Sequence, residues 1–444
     1  MMDDTRYARI PAAVWVKRQP DVSLLAIPNK GGYVYAGMND EAWEIVSRCD
    51  GSRTIRDITD ELVQVYHDDP GKVSGFVQSF IDRLRNIGVL DLSVESECSM
   101  PRVLGSCEMM TPEYAILELT HRCPLSCRHC FLSAGRGSSM ESGELFAVAA
   151  ALVDRIGIRG VQLTGGEPFV HPDILDLVEF FVKNRVAVTI TTSGMIDTEL
   201  TRKCIRKIGR ANGSLQVSVD GLRESHNRIR GNQNSFAKAM STISYSVAQG
   251  VPVAIAVSLL DQPEQEIKDL AIMMREIGVY RFRLGAVSVQ GRALSVKSES
   301  GWDFDSVGRL IAELKKEVQT DHFRIGNFEE QFSGGVDGLT CGAGTKIICI
   351  DPDLDVKPCP MMQCFIGNLR AQSWKEILQE GNRLFRGTEP PNSVECSGCT
   401  FKERCSRCYA EGLVNSSRVA CCSWLSERSG LAKFWSKNVN HRGQ

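Results

Sequence analysis

Residues 117–130 read LELTHRCPLSCRHC, which places Cys123, Cys127 and Cys130 on one short loop after a strand-like apolar run. Iron–sulfur cubes normally take four cysteine ligands. A loop that offers only three thiolates therefore predicts a [4Fe–4S] cluster whose fourth iron takes a ligand from outside the protein. A structural zinc site is the alternative, but it needs four ligands, and the neighbours of His129 limit its reach as the fourth.

The spacing Cys-x3-Cys-x2-Cys after a strand resembles the signature of radical S-adenosylmethionine (SAM) enzymes. The resemblance implies that SAM binds the fourth iron through its amine and carboxylate. Several motifs that follow downstream strengthen the resemblance, because they stand at the distances expected for that family.

Composition narrows the classes of protein that the chain can belong to. With 444 residues it can form two or three domains, and its interspersed charges sum to −2, so we expect no nucleic-acid or membrane partner. The absence of a long apolar run and of an apolar signal region predicts a cytoplasmic location. Ten of the seventeen cysteines lie between Cys341 and Cys422. Clustered cysteines in a reducing compartment indicate metal or cluster ligation rather than disulfides.

Residues 1–95 have the pattern of a small α+β domain with short strands, glycine turns and three amphipathic helices. The pattern predicts a winged-helix-like module and resembles the PqqD-like recognition domain of ribosomal peptide pathways. That resemblance implies a leader peptide bound as an added strand on a sheet edge. DNA binding is disfavoured because the helical region is acidic, whereas a purely structural role stays open. Residues 96–112 are polar and are predicted to be a linker.

Residues 113–294 alternate between strand-like and helical segments in the manner of βα units. Six units predict an α/β fold, a partial (β/α)6 barrel, with a doubly wound sheet as the alternative. Functional residues in such barrels lie at the carboxyl ends of the strands. The predicted strands are 114–119, 160–163, 187–191, 215–219, 251–257 and 281–287.

A Gly-Gly-Glu-Pro motif stands where the second predicted strand ends. In radical SAM enzymes such a motif meets the methionine amino group, which by resemblance assigns Gly165, Gly166 and Glu167 to SAM. Glycines allow a backbone to approach a ligand closely. Ser193 ends the third strand, and its hydroxyl suits a ribose contact, although a helix-capping role is the alternative.

The fourth predicted strand ends in the sequence Ser218-Val219-Asp220-Gly221 and is followed by the His-x3-Arg-Gly sequence that contains Arg230. By resemblance to peptide-modifying radical SAM enzymes, Ser218 and Arg230 would hold the SAM carboxylate, the arginine through charge-assisted hydrogen bonds. Asp220 is predicted to cap the segment after it.

A connecting segment, 295–338, leads to a cysteine-rich segment, 339–444, that resembles the SPASM extension with two auxiliary [4Fe–4S] clusters. A zinc ribbon is the alternative, since paired Cys-x2-Cys is also zinc spacing. By the resemblance, auxiliary cluster I takes Cys341, Cys359 and Cys408 with Cys349 as a possible fourth ligand, and auxiliary cluster II takes Cys396, Cys399, Cys405 and either Cys421 or, as we favour, Cys422.

Two positions depart from the SPASM pattern. The turn glycine expected at position 354 is Leu354, and the spacing of Cys405 and Cys408 is one residue shorter than usual. If Cys349 does not ligate, cluster I keeps an open iron that a substrate thiolate could bind.

Over nearly its whole length the chain resembles thioether-forming (sactionine) synthases. The resemblance implies a 5′-deoxyadenosyl radical acting on a precursor peptide with a leader, and a reducing partner such as ferredoxin or flavodoxin. No catalytic side chain is assigned, because the cofactor carries the chemistry. The alternatives are a carbon–carbon crosslink, epimerisation, modification of a small molecule such as a tetrapyrrole, or a zinc-stabilised peptide-binding protein without enzymatic activity.

Overall fold

The structure, a computed structural model, describes residues 4–288, 290–296, 301–328, 341–402, 405, 407–417, 419 and 421–440. Parts of the predicted segments 295–338 and 339–444 therefore lie outside the described residues. The chain divides into two compact units, Met1–Thr111 with Asp154–Gly157, and Pro112–Val153 with Ile158–Gln444. Among the described residues, no helix combines the length and apolarity that crossing a membrane requires.

The first unit packs short strands and helices around one apolar core that includes Ile45, Ile58 and Ile81. One sheet has the order β4-β3-β2-β7 and the other has the order β5-β1-β6. The elements are β1 (Tyr7–Arg9), β2 (Trp15–Arg18), β3 (Ser23–Pro28), β4 (Tyr33–Met38), α1 (Asp40–Val46), β5 (Asp50–Thr54), α2 (Ile55–Tyr66), α3 (Pro70–Asn86), β6 (Asp91–Ser93) and β7 (Arg102–Gly105).

The predicted α+β character of this unit is confirmed, but the predicted linker 96–112 is wrong in part. Strand β7 pairs in parallel with β2, with Arg102 opposite Trp15. Leu104 of β7 packs with Trp15 in a small buried cluster. A four-residue strand with one inward side chain carries too little alternation to be predicted from sequence.

The second unit is built on one ten-stranded sheet of order β14-β13-β12-β11-β10-β9-β8-β15-β16-β17. Its strands are β8 (Tyr114–Thr120), β9 (Gly160–Gly165), β10 (Ala187–Thr192), β11 (Ser214–Ser218), β12 (Val253–Leu259), β13 (Arg281–Ala286), β14 (Arg324–Asn327), β15 (Ile347–Ile350), β16 (Asp355–Lys357) and β17 (Gly367–Asn368). Its helices are α4 (Ser142–Ala151), α5 (Ile174–Lys183), α6 (Glu199–Gly209), α7 (Arg223–Arg230), α8 (Ser235–Ala248), α9 (Glu264–Ile277), α10 (Phe304–Glu317), α11 (Trp374–Phe385), α12 (Tyr409–Ser416), α13 (Ser423–Ser426) and α14 (Ser429–Asn440).

Strands β8 to β13 are the six predicted ones, and they run parallel in sequence order, so the partial barrel is confirmed. The sheet also gains β14, which lies in the predicted connecting segment and pairs in parallel with β13. Helix α10 precedes β14, so the βα rhythm continues one unit beyond the prediction.

The cysteine-rich segment joins this sheet instead of forming a separate layer. Strand β15 pairs in parallel with β8, with Cys349 opposite Ile116, and in antiparallel fashion with β16, with Cys349 opposite Lys357. The β15–β16 hairpin that leads to Cys359 therefore extends the sheet beyond β8, the first barrel strand.

A buried ion pair links these strands across the sheet. Lys357 Nζ lies 2.6 and 2.7 Å from the two carboxylate oxygens of Glu118, and each side chain is only 1% exposed. The Cys349 thiol donates to Glu118 at 3.4 Å, and His121 lies 3.5 Å from the same carboxylate. Burial alone raises the pKa of Glu118, but contact with His121 and the charge of Lys357 outweigh it and lower that pKa.

Removing one partner of a buried ion pair leaves an unpaired buried charge, which typically costs about 3–5 kcal/mol. We expect Lys357→Met to lower the unfolding free energy of the second unit by that amount, measured by urea unfolding followed by circular dichroism. The double variant Glu118→Gln with Lys357→Met should recover part of the loss, because neither charge is then left alone.

The matched control is Arg370→Met, which breaks the exposed pair between Arg370 and Glu144. Exposed pairs contribute little to stability, so its urea midpoint should stay close to that of the parent. Equal losses for Lys357→Met and Arg370→Met would contradict the importance of the buried pair.

Candidate functional site

The loop that carries Cys123, Cys127 and Cys130 begins directly after β8 and is held by main-chain contacts. Cys123 N donates to Gly135 O at 2.9 Å, and Gly135 N donates to His121 O at the same distance. Arg292 donates to the carbonyls of Cys127 and Ala134, at 2.9 and 2.6 Å. The loop is thus fixed on two sides by backbone and arginine contacts.

The three thiols of this loop influence one another electrostatically. Burial, together with the nearby charges of Glu167, Cys127 and Cys130, raises the pKa of Cys123 to about 12. Ligation needs thiolates, so a bound metal centre must displace these protons. No three cysteine, histidine or carboxylate side chains of the described residues converge on a single ion. A cubane does not require that convergence, because each thiolate binds a different iron.

The Gly-Gly-Glu-Pro turn packs against the cysteine loop. Gly166 N donates to Thr120 O at 2.6 Å, and Glu167 N donates to Arg122 O at 3.0 Å. Gly165 has a φ of +125°, and a Cβ there would lie 2.4 Å from Thr120 O. A Cβ on Gly166 would lie 2.3 Å from Arg122 O. Both glycines are therefore required by the chain's own packing, whatever ligand the turn also meets.

The carboxylate of Glu167 is fully buried and joins this turn to the end of β10. It accepts hydrogen bonds from Thr192 Oγ1 at 2.7 Å, from Ser193 N at 3.0 Å and Ser193 Oγ at 2.5 Å, and from Phe169 N at 3.3 Å. Burial raises the pKa of Glu167 despite these bonds. Four donors occupy the acceptor sites of a carboxylate, so Glu167 fixes Ser193 in place. Ser193 does not cap α6, whose N-cap residue is Thr198.

A buried polar cluster lies beyond β11. Arg230 Nε lies 2.6 Å from Asp220 Oδ2, and Arg230 Nη1 lies 3.7 Å from Cys127 Sγ. Burial alone raises the pKa of Asp220, but the charge of Arg230 outweighs it and the pKa falls. Asp220 accepts from Ser258 N, and α7 has Leu222 at its N-cap without a side-chain cap. The prediction that Asp220 caps the next segment is therefore wrong. Ser218 ends β11 two residues earlier and is half-buried.

Two histidines of this cluster carry buried nitrogens without a hydrogen-bond partner among the described residues, namely His129 Nδ1 and His226 Nε2. Burial lowers the pKa of each to about 4, so both are neutral at pH 7. His226 Nδ1 accepts from Asp220 N, which leaves Nε2 as the unused donor. An unpaired buried polar group costs about 1–3 kcal/mol. These nitrogens therefore suit a polar ligand beside the cysteine loop, a role that sequence reasoning missed.

The auxiliary cysteines fall into two groups by mutual electrostatic influence. Burial and the charge of Cys341 raise the pKa of Cys359 to about 12. Burial and the charge of Glu411 raise the pKa of Cys408 well above its usual value, with smaller contributions from Cys359 and Cys341. Burial and the charges of Cys396, Glu411 and Cys422 raise the pKa of Cys405 to about 11. Burial raises the pKa of Cys422, with smaller contributions from Cys396 and Cys399. Cys421 is exposed. These influences are consistent with the two predicted groups and with Cys422 rather than Cys421 in the second, but the ligand set of each cluster stays a prediction.

Cys349 differs from these groups because its thiol points to Glu118 from inside the sheet. Burial and the charge of Glu118 raise its pKa well above the usual value, and Cys359 contributes less. Cys349 is therefore influenced by the first group, but its thiol already donates a hydrogen bond to Glu118 of the buried ion pair.

Leu354 keeps the left-handed backbone that a glycine would adopt, with a φ of +64°. Such a conformation is disfavoured for residues with a Cβ. Asp351 supports the turn, since its Oδ1 accepts from Asp353 N and Asp355 N, each at 3.0 Å. The buried leucine side chain offsets part of the strain.

Comparison with known proteins agrees with this geometry. Residues 117–274 match the Radical SAM superfamily, and residues 25–90 match the coenzyme PQQ synthesis protein D (PqqD) family. AlbA of Bacillus subtilis (strain 168), an antilisterial bacteriocin subtilosin biosynthesis protein, is 28% identical over 410 residues, which cover 88% of this chain and 89% of AlbA. The AdoMet-dependent heme synthase of Methanosarcina barkeri is 26% identical over 326 residues, or 67% of this chain and 91% of that protein.

Streptococcus suis SuiB, in a crystal structure bound to the precursor peptide SuiA, has the same fold. The TM-score is 0.63 at 15% identity, with 93% of this chain and 97% of SuiB covered. The cysteine loop, the glycine turn against it and these matches together confirm the predicted resemblance: the chain carries a Radical SAM domain over residues 117–274 and a PqqD domain over residues 25–90.

Proposed function

We propose that the protein is a radical SAM enzyme that modifies a ribosomally made precursor peptide by joining a cysteine sulfur to a carbon atom. The observation that carries the proposal is the packing of the Gly-Gly-Glu-Pro turn against the loop of Cys123, Cys127 and Cys130, in a chain that also has a PqqD domain. When bound, a [4Fe–4S] cluster and SAM supply a 5′-deoxyadenosyl radical able to remove hydrogen from an unactivated carbon.

The residues around the cysteine loop would bind and orient SAM. Arg230 is buried with its Nη1 3.7 Å from Cys127 Sγ, and it would bind the SAM carboxylate through charge-assisted hydrogen bonds. Ser218, at the end of β11, is the second residue that we assign to this carboxylate. Gly165 and Gly166 bring main chain close to the thiols. Because the Glu167 carboxylate is already saturated, its part is to hold Ser193 for the ribose, while the SAM ammonium meets carbonyls of the turn.

Two auxiliary [4Fe–4S] clusters would occupy the two cysteine groups, and the first supports the choice of a thioether product. Cys341, Cys359 and Cys408 supply three ligands, whereas the Cys349 thiol is bound to Glu118. Cubes normally take four ligands, so the remaining position of cluster I is available for a substrate cysteine. Thiolate binding there would place the sulfur for bond formation and exclude competing disulfide chemistry. AlbA, a subtilosin biosynthesis protein, supports this product class.

Cys349→Ala tests the ligand set of cluster I. Three cubes hold about twelve irons, and we expect Cys349→Ala to keep that content after anaerobic reconstitution, because the thiol is not a ligand. Cys359→Ala is the matched comparison and should lose about four irons. Iron and sulfide assays per chain provide the measurement. Loss of four irons in Cys349→Ala would make Cys349 the fourth ligand and close the open position.

The first unit would bind the leader of the precursor peptide through β4. This strand is an edge of its sheet and pairs with β3. Tyr33 and Tyr35 pack edge-on against Trp15, whereas Val34 between them is 54% exposed. An exposed edge with alternating side chains is what an added peptide strand uses for affinity and specificity. The PqqD match and the SuiB structure with its precursor support this assignment.

Val34→Asp should weaken binding of the precursor peptide about tenfold, because a buried valine contact contributes about 1.5 kcal/mol. Fluorescence anisotropy with the labelled precursor, identified by copurification, gives the dissociation constant. Val103→Asp is the matched control, since Val103 is an exposed valine of β7 at the other edge of the same sheet. A larger loss of affinity in Val103→Asp than in Val34→Asp would mean that the leader binds at the β7 edge, and would contradict the assignment to β4.

A further inference from the structure

A surface pocket of 450 Å³ opens beside the cysteine loop. Its lining includes Arg122, Cys123, Arg136 and Val170, and it contains no carboxylate. Cys123 is thus both a predicted cluster ligand and part of the wall of an open pocket. The proposed SAM residues Ser193, Ser218 and Arg230 do not line the pocket, so it is an outer face of the loop.

The pocket is positively charged. Arg122 and Arg136 are both exposed. Arg122 donates through Nε to the carbonyl of Gly137 at 3.2 Å, a contact that leaves its charge uncompensated. Within the described part of the chain, no ion pair joins either arginine to a carboxylate. Both charges are therefore available to a partner.

Further arginines contact the cysteine loop or follow it in sequence. Arg292 donates to the carbonyl oxygens of Cys127 and Ala134. Arg128 and Arg228 both pair with the carboxylate of Asp261, with Nη1 to Oδ2 distances of 3.3 and 2.5 Å.

The proposed function requires one electron at the cysteine loop for each SAM cleaved. A carrier seated in the pocket would have only the loop between its redox centre and the cluster. We propose that the Arg122–Arg136 pocket is the docking surface for an acidic one-electron carrier of the flavodoxin or ferredoxin class, an inference that rests on the proposed function. The carrier would lose one electron, and a cluster held by Cys123, Cys127 and Cys130 would gain it.

A second basic pocket on the same protein serves as a control site. It is lined by Arg281, Lys315 and Arg324 among others. Arg281 and Arg324 are the first residues of β13 and β14, so this pocket lies at the amino ends of the strands. Cys123 follows the carboxyl end of β8, at the opposite end of the barrel. A carrier at the second pocket would be separated from the loop by the length of the strands.

The experiment measures binding of reduced flavodoxin by isothermal titration calorimetry at low and at physiological salt. Arg136→Glu should weaken binding by about tenfold and reduce its salt dependence, because a like charge replaces a complementary one. Arg122→Glu should act in the same direction. Arg324→Glu makes the same charge change in the second pocket and should leave the dissociation constant within about twofold of the parent.

A second measurement separates this inference from the proposed function. Dithionite needs no docking surface, so Arg136→Glu should form 5′-deoxyadenosine from SAM at the parental rate with dithionite but more slowly with flavodoxin. Parental flavodoxin affinity in Arg136→Glu and Arg122→Glu, or an equal loss in Arg324→Glu, would overturn the docking surface. Absence of deoxyadenosine from the parent with dithionite would instead overturn the proposed function, while the calorimetry would still decide where flavodoxin binds.

Discussion

The buried pair of Glu118 and Lys357 is the contact on which the arrangement of the second unit depends. Glu118 lies on the strand that leads into Cys123, and Lys357 lies two residues before Cys359. Two charges inside a sheet are tolerated only when they satisfy each other. The strand register that achieves this also positions the two cysteine loops with respect to each other. The same carboxylate holds the Cys349 thiol, so one residue influences both the geometry and the proposed ligand set of cluster I.

At the end of the barrel that carries the cysteine loop, the protein's own contacts also hold the site in place. Gly165 and Gly166 permit main-chain contact with the cysteine loop, and Glu167 uses its whole carboxylate to hold the end of the neighbouring strand. Among the described residues, His129 Nδ1 and His226 Nε2 are buried nitrogens without a hydrogen-bond partner. Protein contacts thus fix the frame of the site, and the unpaired polar atoms mark where a ligand would complete it.

Much of this could be predicted from local sequence. The cysteine loop, the glycine turn and six barrel strands are short-range patterns, and their order along the chain corresponds to neighbouring positions in a parallel sheet. The pairing of β15 with β8 could not be predicted, because Ile116 and Cys349 are far apart in sequence and nothing local specifies their contact. The prediction that Asp220 caps the next segment was wrong for the same reason, since its partners Arg230 and Ser258 come from other elements.

The most direct test of the central claim is the iron and sulfide content after anaerobic reconstitution, combined with 5′-deoxyadenosine formation from SAM under dithionite. Three clusters predict about twelve irons per chain, with deoxyadenosine formed by the parent and lost in Cys123→Ala. Zinc in place of iron, with no deoxyadenosine from the parent, would contradict the account and leave a peptide-binding protein with structural metal.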